Sequence, residues 1–334
     1  MKKVRWGILS TANIAQTQLI PAMIRAKNAQ VTAIATQSDI AKAKEVADIF
    51  EIEKVYDDYE LLLQDQDIDA VYIPLPNHLH KQWVVKAAEY GKHILCEKPA
   101  GLSVEECETI KNACKKYNVY FMEGFMYYFH PQHERVKELI QNGTIGDIHY
   151  MEAGFSFLLP HDERAKNIRM DSQKGGGSIY DIGCYTIHAI RHVLGSEPTA
   201  VQAFGKVDEV SGVDTDTVTY LTMDNGVRAV FDTSFNLPMR HEYRIFGSEG
   251  TISVPRAYRP DLHGGEGKIM IEKTGSHYTE YIQGDQYCLE VEHFSEVILH
   301  PQTTLKLDYS NMLKNMRVVE ACYESLKSNN QITL

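Results

Sequence analysis

The stretch HILCEKPAG, residues 93–101, is an apolar run that ends abruptly in an acid, a base and a proline. The apolar part, 94–96, predicts a short buried strand. In a parallel sheet the ligand crevice opens where the strands end, so we expect Glu97 and Lys98 to lie at its mouth. Pro99 disfavours helical backbone at Lys98 and predicts an extended, fixed lysine. The simpler interpretation is that an acid and a lysine end a strand at an ordinary surface. It holds unless other motifs point to the same cleft.

Strand-like and helical patterns alternate over the first third of the chain. Apolar segments lie at 4–9, 31–36, 55–56, 70–73, 94–96 and 119–122, with helical patterns at 39–50, 59–63, 83–90 and 103–117. Short links between such elements are typical of βαβ units. Residues 1–123 are therefore predicted to form an α/β domain with a doubly wound parallel sheet, the Rossmann fold.

The turn after the first predicted strand has the spacing of a dinucleotide fingerprint but lacks its glycines. The pattern G-x-G-x-x-G/A falls on Ser10, Ala12 and Ala15. With a negative φ at the first two positions, small side chains would still let the backbone approach a pyrophosphate at the helix start. The predicted NAD(P) contacts here are Ser10, Thr11, Ala12, Asn13 and Ile14.

The end of the second predicted strand bears on the choice of cofactor. An NAD-specific site usually places an acid there to bind the ribose hydroxyls, whereas Thr36, Gln37 and Ser38 offer neutral donors, with Lys42 one turn later. The pattern favours NADP, although Lys42 could equally be a solvated helix lysine, and NAD remains the alternative.

A rigid turn, PLPNHLH at 74–80, follows the fourth predicted strand. It places an amide and imidazoles at a strand end, as in the 93–101 stretch. Asn77 could instead serve only to cap the following helix. The predicted cofactor residues of this turn are Leu75, Pro76, Asn77 and His80.

From residue 124 the helices between strands disappear. Strand-like segments follow one another at 148–157, 200–206, 217–223, 227–235, 243–246, 251–254, 268–271 and 278–282, and Asn225-Gly226 predicts a hairpin turn. Residues 124–334 are therefore predicted to form an α+β domain on a large, mostly antiparallel open sheet. We expect helices at 131–141, 186–194, 287–299 and 309–327 to cover one face, the C-terminal one returning to the first domain in one alternative. An uncovered face would make a homodimer or a dimer of dimers.

A second group of chemically active side chains follows the triple glycine at 175–177. If this segment is helical, Asp181 and Tyr185 share a face, and an ammonium such as Lys98 beside the phenol would favour its deprotonated form. Asp181 could instead cap the helix, with Tyr185 in the core. His188 and His192 have a metal-ligand spacing but lack the glutamate of HExxH, so no metal is expected.

The composition excludes several classes of protein. With 334 residues, 43% of them hydrophobic and 24% charged, the chain can form two folded domains. A net charge of −11 disfavours a nucleic-acid partner, so a small molecule is the expected ligand. No apolar run is long enough for a membrane span, and residues 1–15 become polar too early for a signal peptide, so we expect a cytoplasmic protein. The six cysteines show no CxxC pair.

Taken together, four motifs in order resemble the Gfo/Idh/MocA oxidoreductases: the GxGxxA-like start, PNxxH at 76–80, CEKP at 96–99, and GGG followed by DIGCY at 181–185. The likeness covers nearly the whole chain. It is nearest to the branch with glucose–fructose oxidoreductase, dimeric dihydrodiol dehydrogenase and NADP-dependent xylose dehydrogenase. It implies hydride transfer between a nicotinamide and a hydroxyl or carbonyl of a sugar, polyol or cyclic diol.

The resemblance also implies residue roles. Lys98 and Tyr185 would be the catalytic pair with Asp181 as their partner, and Tyr185 would take the hydroxyl proton. Cofactor or site contacts would come from Asn77, His80, Glu97, Lys98 and Arg169. Substrate would meet Lys98, Tyr185, Arg169 and Tyr128, the last standing where these relatives often have arginine. The alternative is a sensor of the same fold that binds cofactor without turnover.

Overall fold

The computed structural model describes residues 2–334 and divides into two compact units. The first unit runs to Met126 and also contains Tyr287–Leu313, and the second contains Tyr127–Gln286 and Lys314–Leu334. The sequence-based division after residue 123 lies close to the first of these boundaries. The segment that joins the first unit is 287–313, whereas most of the C-terminal helix belongs to the second unit.

The first unit contains a parallel sheet of six strands in the order β3-β2-β1-β4-β5-β6. The predicted doubly wound sheet is therefore confirmed. The order reverses between β1 and β4, which is where such sheets bind their ligands. The strands are β1 (Val4–Leu9), β2 (Ala29–Ala35), β3 (Lys54–Tyr56), β4 (Ala70–Ile73), β5 (His93–Glu97) and β6 (Phe121–Gly124).

Helices connect these strands, and their first turns show why they begin where they do. Ser103 Oγ accepts the amide of Glu106, as an N-cap does, and Asp39 caps the second helix in the same way. Gly7 lets a helix approach β1, because a Cβ there would lie 2.6 Å from Leu62 Cδ2. The helices are α1 (Ile20–Arg25, preceded by the π-helical turn Ala15–Leu19), α2 (Ile40–Phe50), α3 (Tyr59–Gln64), α4 (Asn77–Glu89) and α5 (Val104–Lys116).

The second unit is built on a nine-stranded sheet in the order β14-β13-β12-β11-β7-β10-β9-β8-β15. Neighbouring strands are antiparallel except β7 and β10, which run parallel, so the predicted mostly antiparallel sheet is confirmed. Sequence patterns did not predict the short β15, which pairs with β8. The strands are β7 (Ile148–Ser156), β8 (Pro198–Val207), β9 (Asp214–Met223), β10 (Arg228–Ser234), β11 (Arg240–Gly247), β12 (Gly250–Val254), β13 (Glu266–Lys273), β14 (Ser276–Gln283) and β15 (Ile332–Thr333).

The remaining helices are α6 (Pro131–Gln141), α7 (His161–Arg164), α8 (Cys184–Leu194), α9 (Gln286–Leu299) and α10 (Tyr309–Ser328). Helix α8 packs on β7 and β10 and covers one face of the second sheet. Helix α9 packs on the first unit, where the Trp6 indole donates to Ser295 Oγ at 3.2 Å and lies against Phe294. Among the described residues, no helix is both long enough and apolar enough to cross a membrane.

Candidate active site

The first unit brings most of the predicted cofactor residues to one edge of its sheet. Each lies at the carboxyl end of a parallel strand or in the helical turn that follows it. They follow β1 (Ser10, Thr11, Ala12, Asn13, Ile14), β2 (Thr36, Gln37, Ser38, Lys42), β4 (Leu75, Pro76, Asn77, His80) and β5 (Glu97, Lys98). Because parallel strands all end at the same edge, local sequence patterns could place these residues together.

The turn after β1 corrects one expectation. Ser10 has a φ of 137°, not the negative value that we expected for a residue other than glycine. Its backbone thus adopts a conformation that favours glycine. The serine hydroxyl accepts the Ala12 amide at 3.0 Å, which stabilises the tight turn into the helical segment. The turn still fits a pyrophosphate, because its side chains are small and it leads directly into the first amides of a helix.

The turn after β2 is organised around Thr36, which is buried. Its hydroxyl accepts the amides of Ser38 and Asp39 at 3.3 and 3.4 Å. Two acids lie beside this turn: the Asp39 carboxylate accepts the Lys42 amide at 3.0 Å as the cap of α2, and Asp58 Oδ2 accepts from Gln37 Nε2 at 3.3 Å. Gln37 and Ser38 are exposed, as is Lys42. The turn thus offers neutral donors and one ammonium, whereas both neighbouring carboxylates accept hydrogen bonds within the protein, Asp39 from α2 and Asp58 from Gln37 and the Glu60 amide.

The turn after β4 separates two residues that we predicted together. Asn77 is the first residue of α4, and Pro76 occupies the cap position, so Asn77 does not cap the helix. His80 is fully buried, with Nδ1 2.8 Å from the Pro99 carbonyl oxygen and Nε2 2.7 Å from that of Leu75. Burial lowers the pKa of His80 to about 4, against the effect of the two carbonyls. Its ring contacts backbone, which leaves no surface for a cofactor.

The segment after β5 is held on both sides of Lys98. Tyr72, a fully buried residue of β4, donates its hydroxyl to Glu97 Oε1 at 2.5 Å. The Ala100 amide donates to Glu123 Oε1 at 2.8 Å. Lys98 itself is half-buried and precedes a cis proline. The predicted crevice lysine therefore has a defined backbone position, fixed by buried partners that the sequence did not reveal.

The second unit brings Arg169, Asp181 and Tyr185 into one group. Arg169 Nε donates to Asp181 Oδ2 at 2.5 Å, and this carboxylate raises the pKa of Arg169. Asp181 lies in the π-helical turn Ile179–Gly183, which continues into α8 with Tyr185 one turn later. The predicted helical spacing is therefore confirmed. The alternative that Asp181 caps the helix is wrong, because its carboxylate forms an ion pair with Arg169.

The ring of Tyr185 is 6% exposed and packs in an aromatic cluster. Its centroid lies 5.5 Å from that of Phe155, 5.8 Å from Tyr258 and 5.9 Å from Tyr127. Aromatic neighbours at such distances fix the orientation of a ring. The tyrosine is therefore a core residue of the second unit whose ring is fixed by its aromatic neighbours.

Asp214 positions this helical segment, and sequence patterns did not predict it. Its Oδ2 accepts the Ser178 hydroxyl at 2.7 Å and the Ile179 amide at 2.8 Å, and its Oδ1 accepts the Tyr323 hydroxyl at 2.8 Å. Gly177 has a φ of 118°, and a Cβ there would lie 2.2 Å from Asp214 Oδ1. The glycine run thus lets buried Asp214 reach the start of the helix. The one signal for Asp214 in the sequence was an acid at a position of β9 whose side chain is buried.

Tyr128 lies beside the two histidines of α8. Its ring centroid is 4.5 Å from that of His192 and 5.8 Å from that of His188. The Tyr127 hydroxyl lies 2.5 Å from His188 Nδ1, so this ring nitrogen is engaged within the second unit. Within residues 2–334, no three His, Cys, Asp or Glu side chains form a group that could hold a metal ion.

Comparison with known proteins gives matches along both units. Residues 4–125 match the model of an oxidoreductase family with an NAD-binding Rossmann fold, and residues 133–253 match the GFO/IDH/MocA C-terminal domain. The chain is 36% identical to D-xylose 1-dehydrogenase (NADP(+)) 2 of Haloferax volcanii over 98% of this chain and 99% of that protein. It is 30% identical to trans-1,2-dihydrobenzene-1,2-diol dehydrogenase of Xenopus laevis over 88% and 89% of the two chains.

Solved structures show the same architecture. The 3-ketoreductase KijD10 of Actinomadura kijaniata, in complex with NADP and TDP-benzene, is similar with a TM-score of 0.90 and 28% identity. The similarity covers 97% of this chain and 98% of that one.

Proposed function

The chain belongs to the GFO/IDH/MocA family of oxidoreductases, and we propose that it transfers hydride between NADP and a hydroxyl or carbonyl of a sugar, polyol or cyclic diol. The observation that carries the proposal is the end-to-end similarity to an NADP-dependent xylose dehydrogenase, 36% over 98% of the chain. Two groups of side chains support the proposal. The polar residues at the strand ends of the first unit would bind the cofactor, and the Arg169–Asp181–Tyr185 group of the second unit would act on the substrate.

The experiment that tests this function is the absorbance of the reduced nicotinamide during turnover. Purified protein is offered NADP or NAD with aldoses, polyols and trans-dihydrodiols, and, in the reverse direction, NADPH with keto-sugars, including nucleotide-linked ones. We expect turnover with at least one substrate of the panel. Tight cofactor binding without turnover in either direction would contradict the proposal and support a sensor of the same fold.

The bound cofactor supplies the hydride donor or acceptor, and residues of the first unit would hold it. The turn 10–14 would bind the pyrophosphate through its amides, and the turn 36–38 would bind the adenosine ribose. NADP is favoured because Gln37 and Ser38 offer neutral donors beside this ribose position, while the two nearby carboxylates are engaged as helix caps, Asp39 by the Lys42 amide and Asp58 by the Glu60 amide. Lys42, exposed one turn further, would face the additional phosphate.

Replacing Lys42 with alanine tests the preference for NADP. We expect NADP to bind about two- to fivefold more weakly, as for the loss of one exposed charge pair, with no change for NAD. The measurement is cofactor titration by the fluorescence of the reduced nicotinamide. Lys44→Ala, on an exposed position of the same helix, is the matched control and should leave both affinities unchanged. Equal weakening of NADP and NAD would contradict the assignment.

For the chemical step we propose that Tyr185 takes the hydroxyl proton as hydride leaves, or returns it in reduction. Lys98 would bind the same oxygen, favour the deprotonated phenol and so assist the transfer. Asp181, which holds Arg169, would keep that guanidinium beside the tyrosine helix. Tyr128 is proposed as a substrate contact in place of the arginine that related proteins often have.

We also propose that a second copy of the chain covers the open face of the second sheet. Phe204, Val218 and Tyr220 point outward from neighbouring strands β8 and β9 and are 56%, 51% and 39% exposed. Leu237 and Met239 add further exposed apolar surface in the loop that follows β10. Grouped apolar side chains on a sheet face are typical of a subunit interface.

Replacing Val218 with lysine tests this interface. We expect the wild type to sediment as a dimer or tetramer and the variant as a smaller species, because an interface that buries this position would have to desolvate an unpaired ammonium. The measurement is sedimentation velocity over a range of protein concentrations. Leu61→Lys, at a 46% exposed position of α3 in the first unit, is the matched control. A wild type that sediments as a monomer at all concentrations would contradict the proposal.

A further inference from the structure

His80 has an unusual pair of contacts for a buried histidine. Both ring nitrogens lie within hydrogen-bond distance of backbone carbonyl oxygens, Pro99 at 2.8 Å and Leu75 at 2.7 Å. A carbonyl oxygen only accepts, so each contact needs an N–H on the ring. In the neutral ring the position of the single proton chooses which carbonyl is held, and the imidazolium holds both.

His133, in the second unit, shows that this arrangement is not a general feature of buried histidines. His133 is also fully buried, and its nitrogens lie 2.9 Å from the Tyr243 hydroxyl and 2.9 Å from the Ala257 carbonyl. A hydroxyl donates or accepts, so one neutral tautomer satisfies both contacts of His133. No neutral tautomer donates to both carbonyls that contact His80. The His80 ring therefore lies as one polar group between two loops.

The two carbonyls belong to the loops where the chemistry is expected. Leu75 lies in the turn after β4, and Pro99 follows Lys98 in the segment after β5. The strands β4 and β5 are neighbours in the sheet, so the two turns lie side by side. Tyr72 on β4 and Glu123 on β6 bind the lysine segment to the strands on either side of β5. His80 joins that segment to the neighbouring turn.

We propose that His80 is a positioning residue for Lys98. The neutral ring has one N–H; donated from Nδ1 to the Pro99 carbonyl while the ring lies against the Leu75 carbonyl, it fixes the lysine segment relative to the turn after β4. This inference rests on the proposed function, in which Lys98 acts on the substrate oxygen. It differs from the expectation that His80 contacts the cofactor, because a fully buried ring acts only through its backbone partners.

Two variants and one control test the proposal by kinetics. In His80→Phe the ring shape remains without any donor, and we expect kcat to fall about tenfold or more, since a displacement of about 1 Å can cost 10²-fold. Substrate KM and cofactor affinity should change much less. His80→Gln retains N–H donors and should recover part of kcat. The control His133→Phe should lose about as much thermal stability as His80→Phe but should keep the wild-type kcat. An unchanged kcat in folded His80→Phe, an equal loss of kcat in His133→Phe, or a loss confined to cofactor affinity would overturn the proposal.

A structural measurement separates this inference from the proposed function. Crystal structures of the wild type and His80→Phe should differ in the position of residues 97–101 relative to 74–77, whether or not a substrate is found. An identical placement of these segments would overturn the inference. If the wild type turns over no substrate of the panel, the proposed function fails, and the crystal structures still decide whether His80 positions the lysine segment.

Discussion

Replacement of Tyr185 with phenylalanine is expected to lower kcat about 10²- to 10⁴-fold, the range for loss of a positioned acid–base group. The substitution removes one hydroxyl and keeps the ring, which packs against Phe155, Tyr258 and Tyr127. The fold and the cofactor turns of the first unit should therefore be unaffected. The measurement compares kcat, KM and cofactor affinity of the variant with those of the wild type.

Tyr258 provides the matched control for this experiment. It lies in the same aromatic cluster and is fully buried, and its hydroxyl has no hydrogen-bond partner among residues 2–334. Tyr258→Phe should therefore leave both kcat and stability unchanged. A Tyr185→Phe protein with an unchanged kcat at saturating cofactor but a weakened cofactor affinity would reverse the assignment. An equal loss of kcat in both variants would mean that the cluster, rather than the Tyr185 hydroxyl, supports the reaction.

The strand ends of the first unit could be predicted because the signals there are local. An apolar run followed by polar residues identifies a strand end, and parallel topology brings such ends to one edge. For this reason Ser10, Thr36, Asn77 and Lys98 were predicted together although they are far apart in the chain. The prediction required no knowledge of which side chains contact one another.

Features that depend on tertiary contacts could not be predicted in the same way. The φ of Ser10 is set by a turn that usually requires glycine, and a serine there gives no sign of it. The return of residues 287–313 to the first unit depends on long-range contacts such as Trp6 with Ser295. The pattern of α9 is only that of a buried helix, and it does not specify the sheet on which the helix packs.

Buried charged residues are the clearest instance of this limit. In the first unit, burial raises the pKa of Glu290 well above its usual value, and the charge of Glu97 acts in the same direction. Sequence patterns assign such an acid to a solvated helix face, because glutamate is almost never fully buried without a partner. Asp214 presents the same difficulty in the second unit, and there the consequence for the proposed catalytic tyrosine can be measured.

Asp214→Ala is expected to destabilise the second unit by roughly 3–5 kcal/mol, because three buried donors lose their acceptor. These donors are the Ser178 hydroxyl, the Ile179 amide and the Tyr323 hydroxyl, and the first two lie at the start of the segment that carries Tyr185. We therefore expect an earlier urea-unfolding midpoint together with a loss of kcat. Unfolding is followed by circular dichroism and compared with the wild type under the same conditions.

Asp214→Asn separates the loss of acceptors from the loss of charge. An amide oxygen at the Oδ2 position can accept from Ser178 and Ile179, and its NH₂ can donate to the Tyr323 oxygen, so this variant should fold nearly as well as the wild type.

Burial raises the pKa of Asp214 above that of the unfolded chain, against the effect of its donors. The ionised carboxylate therefore lowers stability above the folded pKa, and this loss diminishes as the pH falls through that pKa. Asp214→Asn lacks this dependence, so its stability relative to the wild type should decrease on acidification. If Asp214→Asn were as unstable as Asp214→Ala at neutral pH, the segment would depend on the charge of Asp214 rather than on its acceptor oxygens.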